Sequence, residues 1–299
     1  MIVAPLRGAL AAASALLLGG NLPPPAPAAA PPRAASPAAG QRGDRLAPAA
    51  AFAPTAGELT QGGWARGNAG PGARPSLDGA AVPVAPDGSY FLAFDRDAPA
   101  EAVLDLVGAD GRASEVRLAI APRSWQIERV NVGMRPGATP SEEYQRRRAI
   151  ELQQIRAARA IVTDAQGWRQ QFIRPAPGRF SGRFGSQRIY RGTPGSYHSG
   201  LDIAGGAGTT IVAPADGVVI LAADSPFTLE GNLLMIDHGM GLNSAFLHCS
   251  AILVRPGEPV RQGQPIGRIG STGRATGPHL HWSIKWRDAR LDPLLFIGG

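Results

Sequence analysis

Short runs of alternating apolar and polar residues, broken by Gly, Pro, Asn and Asp, fill the chain from Gly57 to Pro122 and again from Phe172 to Phe296. In the first span, Ala80–Val84, Tyr90–Phe94, Ala102–Val107 and Glu115–Ile120 carry the strand pattern, a period of two that sends alternate side chains to opposite faces. Asp78-Gly79, Asp87-Gly88 and Asp110-Gly111 fall between these runs, and Asp-Gly favours hairpins because tight turns need positive φ. This span reads as a small β-sandwich, immunoglobulin-like in outline. In the second span, Thr210–Ala213, Gly217–Ala222, Asn232–Asp237, Ser244–His248 and Leu280–Ile284 predict an antiparallel β-domain of about 120 residues. Between the spans, Pro140 to about Ala165 changes to a helical pattern. Ser141 suits the N-cap, Glu142 and Glu143 suit the positive first turn, and Ile150, Ile155 and Ile161 with alanines form a narrow apolar stripe. Arg146, Arg147 and Arg148 read as a solvated face of that helix. The fold expected is mostly β: a sandwich over 57–122, a connector over 123–171 with its helix at about 141–165, and a larger β-domain over 172–299. The aromatic Trp64, after Gly62-Gly63, reads as a core residue of the sandwich.

The first 56 residues lack this patterning. Residues 1–30 read as an export signal: Arg7, a short apolar run from Gly8 to Leu18, and small residues such as Ala26-Pro27-Ala28 that suit cleavage. The run is shorter than the roughly 20 apolar residues of a spanning helix, so no membrane span is expected in the mature chain. Residues 31–56 are rich in Ala and Pro with few bulky apolar side chains, the composition of an extended or disordered spacer. An exported protein of the periplasm or cell envelope is the expectation.

Charge and cysteine content narrow the chemistry. The formal charge is +7, almost all of the basic residues are arginine, and Lys285 is the single lysine. That balance favours an anionic envelope or polymer as partner. The arginines are scattered, with no recognition helix, zinc finger or aromatic-basic repeat, which argues against nucleic acid. Cys249 is the only cysteine. It therefore forms no intrachain disulfide and no thiolate-rich metal site, and it reads as a small buried hydrophobe rather than a nucleophile.

All five histidines lie in the second β-span. His279 and His281, one residue apart in an apolar extended segment, point to one face about 6.5–7 Å apart. One imidazole can then bind a metal while the other reaches a water beside it, and the spacing alone leaves open which does which. Upstream, His198 and Asp202 add an imidazole and a carboxylate. Three protein ligands with an open position is the arrangement of catalytic rather than structural zinc.

The ordered set Gly195-Ser-Tyr-His198-Ser-Gly-Leu-Asp202, Ile236-Asp-His238-Gly239, Phe246-Leu-His248 and Gly277-Pro-His279-Leu-His281-Trp282 closely resembles the lysostaphin-type (LytM-like) zinc metalloendopeptidases, which cut peptidoglycan cross-link peptides. The resemblance runs from about Phe172 to Phe296 and includes Gly182-Arg-Phe-Gly185, Ala213-Pro-Ala-Asp-Gly217 and Gly267-Arg-Ile-Gly270-Ser-Thr-Gly273. The preceding β-domain and helix are similar to an N-terminal region of some exported members. The resemblance implies an antiparallel sheet with a groove, one Zn2+ per chain held by His198, Asp202 and His281, and His248 and His279 as catalytic histidines. It also implies a peptidoglycan peptide substrate, with a regulatory protein partner open. His238 reads as structural, in a turn similar to one of the family. Two departures stand out: Phe246 replaces a tyrosine common in the family, and Cys249 replaces a leucine. A non-catalytic module of the same fold, binding peptidoglycan or activating a hydrolase, is the main alternative. Exchangeable metal without hydrolysis would mark a third, a metal carrier.

Overall fold

The structure is a computed structural model and describes residues 52–133 and 141–298. The export signal and nearly all of the spacer expected from the sequence lie outside the described residues. No described helix is long and apolar enough to cross a membrane.

Two small antiparallel sheets form the N-terminal sandwich. One joins β1 (Ala56–Gly57), β2 (Trp64–Asn68) and β5 (Ser89–Ala93); the other joins β3 (Arg74–Leu77), β4 (Ala80–Ala81), β6 (Glu101–Val107) and β7 (Ala113–Ala119). Asp78 and Gly79, both at positive φ (49° and 80°), turn β3 into β4, as a two-residue Asp-Gly hairpin requires. Tyr90, Leu92, Leu104 and Leu118 fill the space between the sheets. Strands β2 and β3 escaped the pattern because Trp64-Ala-Arg-Gly-Asn68 and Arg74-Pro-Ser-Leu77 lack a clean alternation; their pairing with β5 and β6 makes them strands.

After β8 (Ile127–Val130), helix α1 spans Glu142–Arg159. Ser141 Oγ accepts from the Tyr144 amide at 3.1 Å, the N-cap bond read from sequence. The helix stops earlier than the pattern suggested, because Thr163 is drawn away to Asp237, donating its amide and hydroxyl to Oδ2 at 2.8 and 2.7 Å. Its buried face also differs from the expected isoleucine stripe. Ile150 and Ile161 are exposed, whereas Ala158 is buried and Ile155 packs with it against Leu233, Met235 and Ala245. The arginine cluster is not simply solvated either. Arg148 forms a two-pronged ion pair with Glu230 (2.6 and 2.7 Å) and also meets Glu151, while Arg147 bridges Glu151 and the Pro226 carbonyl.

The C-terminal domain adds β9 (Arg179–Gly182), β10 (Gln187–Tyr190), β11 (Thr193–Pro194), β12 (Leu201–Ala204), β13 (Thr210–Val212), β14 (Gly217–Ala222) and β15 (Asn232–Asp237). It ends with β16 (Leu242–Ile252), β17 (Pro259–Val260), β18 (Pro265–Ile269), β19 (Leu280–Trp286) and β20 (Ala289–Leu291). The main sheet runs in the order β17-β14-β15-β16-β19-β12-β9, all antiparallel. On β19, Leu280, Trp282, Ile284 and Trp286 enter the main core, and Phe246 of β16 lies opposite Trp282. The alternate residues His281, Ser283 and Lys285 share the other face, on which α1 lies.

The sandwich and this domain share part of their cores. Trp64 stacks on Phe91, meets Phe296 at 5.2 Å, and donates its indole N–H to the Leu295 carbonyl at 3.0 Å. Arg123 pairs with the buried Asp292 at 2.7 Å. Trp64 is thus a core residue where the sandwich meets the main sheet.

Candidate active site

Cross-strand register builds the site. Asp202 on β12 lies opposite His281 on β19, and His281 lies opposite Leu247 on β16. His198 precedes β12 and is held by the Arg183 carbonyl, 3.1 Å from its Nδ1. A carbonyl only accepts, so Nδ1 carries the proton and the Nε2 lone pair faces inward. There Nε2 stands 3.0 Å from Asp202 Oδ1 and 3.1 Å from His281 Nδ1, and the latter two atoms are 2.9 Å apart. His279 lies just outside this triangle, its Nε2 3.8 Å from Asp202 Oδ1.

Three electron-rich atoms so close together demand a shared cation. A proton satisfies one contact at a time, whereas a divalent ion satisfies all three. Two imidazole nitrogens and one carboxylate oxygen at this spacing suit zinc, with its bond lengths of about 2.0–2.2 Å. The residues therefore fit the ion. Burial opposes charge on Asp202, but the two imidazoles beside it, His198 and His281, outweigh burial and hold the carboxyl well below the usual range. At His198 the Asp202 contact overcomes burial and raises the imidazole; at His281 burial prevails, aided by the His198 charge, and lowers it.

Glycines make room for this triangle. A Cβ on Gly200 would stand 2.6 Å from His281 Nε2 and 2.5 Å from the Trp282 carbonyl, and one on Gly182 would stand 2.4 Å from Asp202 Oδ2. Both glycines belong to the motifs read from sequence, but their role needs the folded register to be seen.

His248 reaches the site by a β-bulge. Between the Asn232/Cys249 and Leu234/Phe246 pairs, Leu247 and His248 oppose Leu233 alone. Simple alternation would put His248 on the core side with Phe246. The extra residue and a φ of 65° swing its ring to the side of the His198–Asp202–His281 triangle, the re-aiming that bulges perform. Its Nδ1 donates to the Thr272 carbonyl at 2.9 Å and its ring centre lies 4.9 Å from that of His279. His279 Nδ1 donates to the Gly277 carbonyl at 2.8 Å. Both rings thus keep a proton on Nδ1 and a free lone pair on Nε2. Burial, then the His279 and His281 charges, lower the His248 imidazole, favouring its neutral form. A non-glycine residue at positive φ is strained, so His248→Gly is expected to be more stable than His248→Ala by about 0.5–1 kcal/mol, reversing the usual order. Denaturant melts of the two variants check this; alanine proving the more stable would contradict the strain.

Phe246 is fully buried in the main core, so a hydroxyl in its place would start from the core side. Cys249 is buried, and burial pushes its thiol up to about 12. His238 stands apart from the cluster: Nδ1 donates to the Asp216 carbonyl and Nε2 accepts from Ser244 Oγ, both at 2.8 Å. Complete burial lowers its imidazole to about 4. The unfolded chain, with a histidine near 6.5, binds the proton first, so this contribution is full above pH 6.5 and lost as pH falls toward 4. A loss of about 3 kcal/mol over that window is expected. Buried Asp237 acts in the opposite sense, so the test compares wild type with His238→Asn: the variant should have the flatter stability–pH slope, and equal slopes would refute the assignment.

One contact invisible in the sequence comes from the sandwich. Arg96, 6% exposed, donates to the Gly185 carbonyl from Nε and Nη2 at 3.2 and 3.0 Å, and the Gly185 amide donates to the His198 carbonyl at 2.8 Å. Arg96 thereby holds the segment that carries His198.

Residues 196–293 match the family described as Peptidase family M23. A solved structure of a putative peptidase M23 from Pseudomonas aeruginosa is 31% identical, with a TM-score of 0.63, over 81% of this chain and 96% of that one. The chain belongs to peptidase family M23. Curated relatives match about a third of this chain. The peptidoglycan DD-endopeptidase ShyA of Vibrio cholerae is 40% identical over 107 residues, 36% of this chain and 24% of that protein. The murein hydrolase activator NlpD of Salmonella dublin is 38% identical over 100 residues, 33% of this chain and 26% of that protein. The chain thus spans about a quarter of the length of these curated relatives.

Proposed function

We propose that this chain is an exported, zinc-dependent endopeptidase that hydrolyses amide bonds in the stem or cross-link peptides of peptidoglycan. The observation that carries the reading is the convergence of His198 Nε2, Asp202 Oδ1 and His281 Nδ1 within 3.1 Å of one another, beside two further histidines. His198, Asp202 and His281 would hold the metal. Zinc bound there supplies a Lewis acid that polarises the scissile carbonyl and acidifies water.

The remaining chemistry belongs to His248 and His279. Carbonyl partners at Nδ1 support a role for both as Nε2 bases, which would take the proton of an attacking water and return it to the leaving amine. Once protonated, either ring faces the carbonyl oxygen with a charged donor and stabilises the negative charge that develops there. The face of β19 that carries His281 gives an extended peptide a floor, and α1 stands over the same face. Kinship with proteins named peptidoglycan DD-endopeptidase supports the substrate class, and the signal-like residues 1–30 support export.

Incubation of purified, cross-linked peptidoglycan with the protein, with and without a zinc chelator, tests the proposal. Loss of cross-links that the chelator abolishes and zinc restores is expected, with mass spectrometry naming the bond. Zinc-loaded protein that cuts nothing, yet speeds another cell-wall hydrolase, would replace the endopeptidase with an activator.

A further inference from the structure

Beyond the His198–Asp202–His281 triangle, the face of β19 that carries His281 holds a second concentration of charge. Lys285, the only lysine of the chain, sits four residues along β19 from His281 on the same face, about 13 Å away at the rise of a strand. Directly opposite it across the β19–β20 pair stands Arg290. Like charges at facing positions of an antiparallel pair repel. Arg159, in the last turn of α1, adds a third cation: it follows the buried Ala158 that packs against Ala245, itself opposite Ser283.

These cations are poorly compensated. Arg159 makes no ion pair among the described residues, and its buried Nε has no hydrogen-bond partner. Burial and then the Arg290 charge lower its guanidinium to about 10. Glu230, the acid that favours the Arg159 charge, is already engaged by Arg148. Among the described residues Lys285 pairs only with Asp288, fully exposed and 3.7 Å away. Arg290 spends one N–H on the Tyr197 hydroxyl at 3.3 Å, and its amide, not its guanidinium, meets Asp95. Tyr197 directly precedes His198, so the cationic surface runs back to the His198–Asp202–His281 triangle.

We infer that Arg159, Lys285 and Arg290 form an anion subsite on this face of the sheet that binds a free carboxylate of the peptide substrate. The sequence offered no hint of it: its members come from a helix, a strand and a hairpin partner, and only the packing of α1 on the sheet unites them. An anion seated among three cations relieves their mutual repulsion and registers the peptide along the groove. Its separation from the cluster, about 13 Å, corresponds to roughly four residues of extended chain. A carboxylate that far from the scissile amide is the feature recognised. The assignment rests on the peptidase reading for its substrate class, but its geometry stands apart from the metal cluster.

The test uses cross-linked peptide dimers released from peptidoglycan and the same dimers with their carboxylates amidated. Binding is measured by calorimetry on the full chain carrying His279→Ala, to prevent turnover, and KM is measured on otherwise wild-type protein. Acidic dimers are expected to bind at least tenfold more tightly than amidated ones. Lys285→Met and Arg159→Met should each erase most of that preference and raise KM for acidic dimers, with kcat little changed. Lys285→Met should also leave Tm unchanged or raise it, since repulsion from Arg290 is removed; a merely structural lysine would lower Tm and affect both dimers alike. Equal binding of the two dimers, no binding of the acidic one, or variants that weaken both equally would overturn the subsite. Cleavage without any charge preference would leave the peptidase reading standing while removing the subsite, and tight charge-selective binding without cleavage would do the reverse.

Discussion

His279→Ala is expected to lower kcat by about 10²–10⁴-fold while the protein still binds one equivalent of zinc. The imidazole stands 3.8 Å from Asp202 Oδ1, outside the triangle of the other three donors, and its Nδ1 is tied to the Gly277 carbonyl. Its removal takes away a base and a charged donor but no atom of the triangle. Zinc content by mass spectrometry of the native protein, beside rates on cross-linked dimers, separates these roles. An His279→Ala protein that loses its metal together with its activity would show that the division of labour is wrong.

Gly200→Ala is expected to do the converse, weakening zinc binding by about 100-fold or more through displacement of a ligand. The added methyl would meet His281 Nε2 at 2.6 Å and the Trp282 carbonyl at 2.5 Å. Neither can retreat easily: the ring sits between His198 and Asp202, and the carbonyl belongs to a central strand. Some stability should be lost as well, on the order of 1–3 kcal/mol for overpacking. Gly277→Ala serves as control, because a Cβ there meets nothing within 4 Å. Zinc affinities of the two variants within threefold of each other would show that the close approach at Gly200 is not what holds His281.

Local chemistry explains what could be read in advance. Asp-Gly turns, period-two runs and a Ser-capped helix start are decided within a few residues, and β5, β6, β7, β14, β15 and the start of α1 lie close to where those signals put them. His198, Asp202, His279 and His281 sit in two short motifs, so resemblance could gather them before any contact was known. What stayed hidden depends on partners distant in sequence. Strand β2 exists because it pairs with β5, although its own residues include Arg66, Gly67 and Asn68. The exposure of Ile150 beside the buried Glu151 follows from Arg147, Arg148 and Thr228 gathering around that carboxylate. The bulge at His248 leaves no trace in Phe246-Leu-His-Cys249, where alternation alone would have sent the ring into the core. Arg96 lies 102 residues before His198 and touches the site only through Gly185, so nothing local marks it.

The most direct test of the central claim is metal stoichiometry in three proteins: wild type, His281→Ala and His279→Ala. Each would be loaded with zinc, freed of excess and measured by native mass spectrometry, with hydrolysis of cross-linked peptidoglycan followed on the same samples. The expected result is one zinc and activity for wild type, neither for His281→Ala, and one zinc without appreciable activity for His279→Ala. A His281→Ala protein that retains its zinc, or that still cuts peptidoglycan, would contradict the site described above.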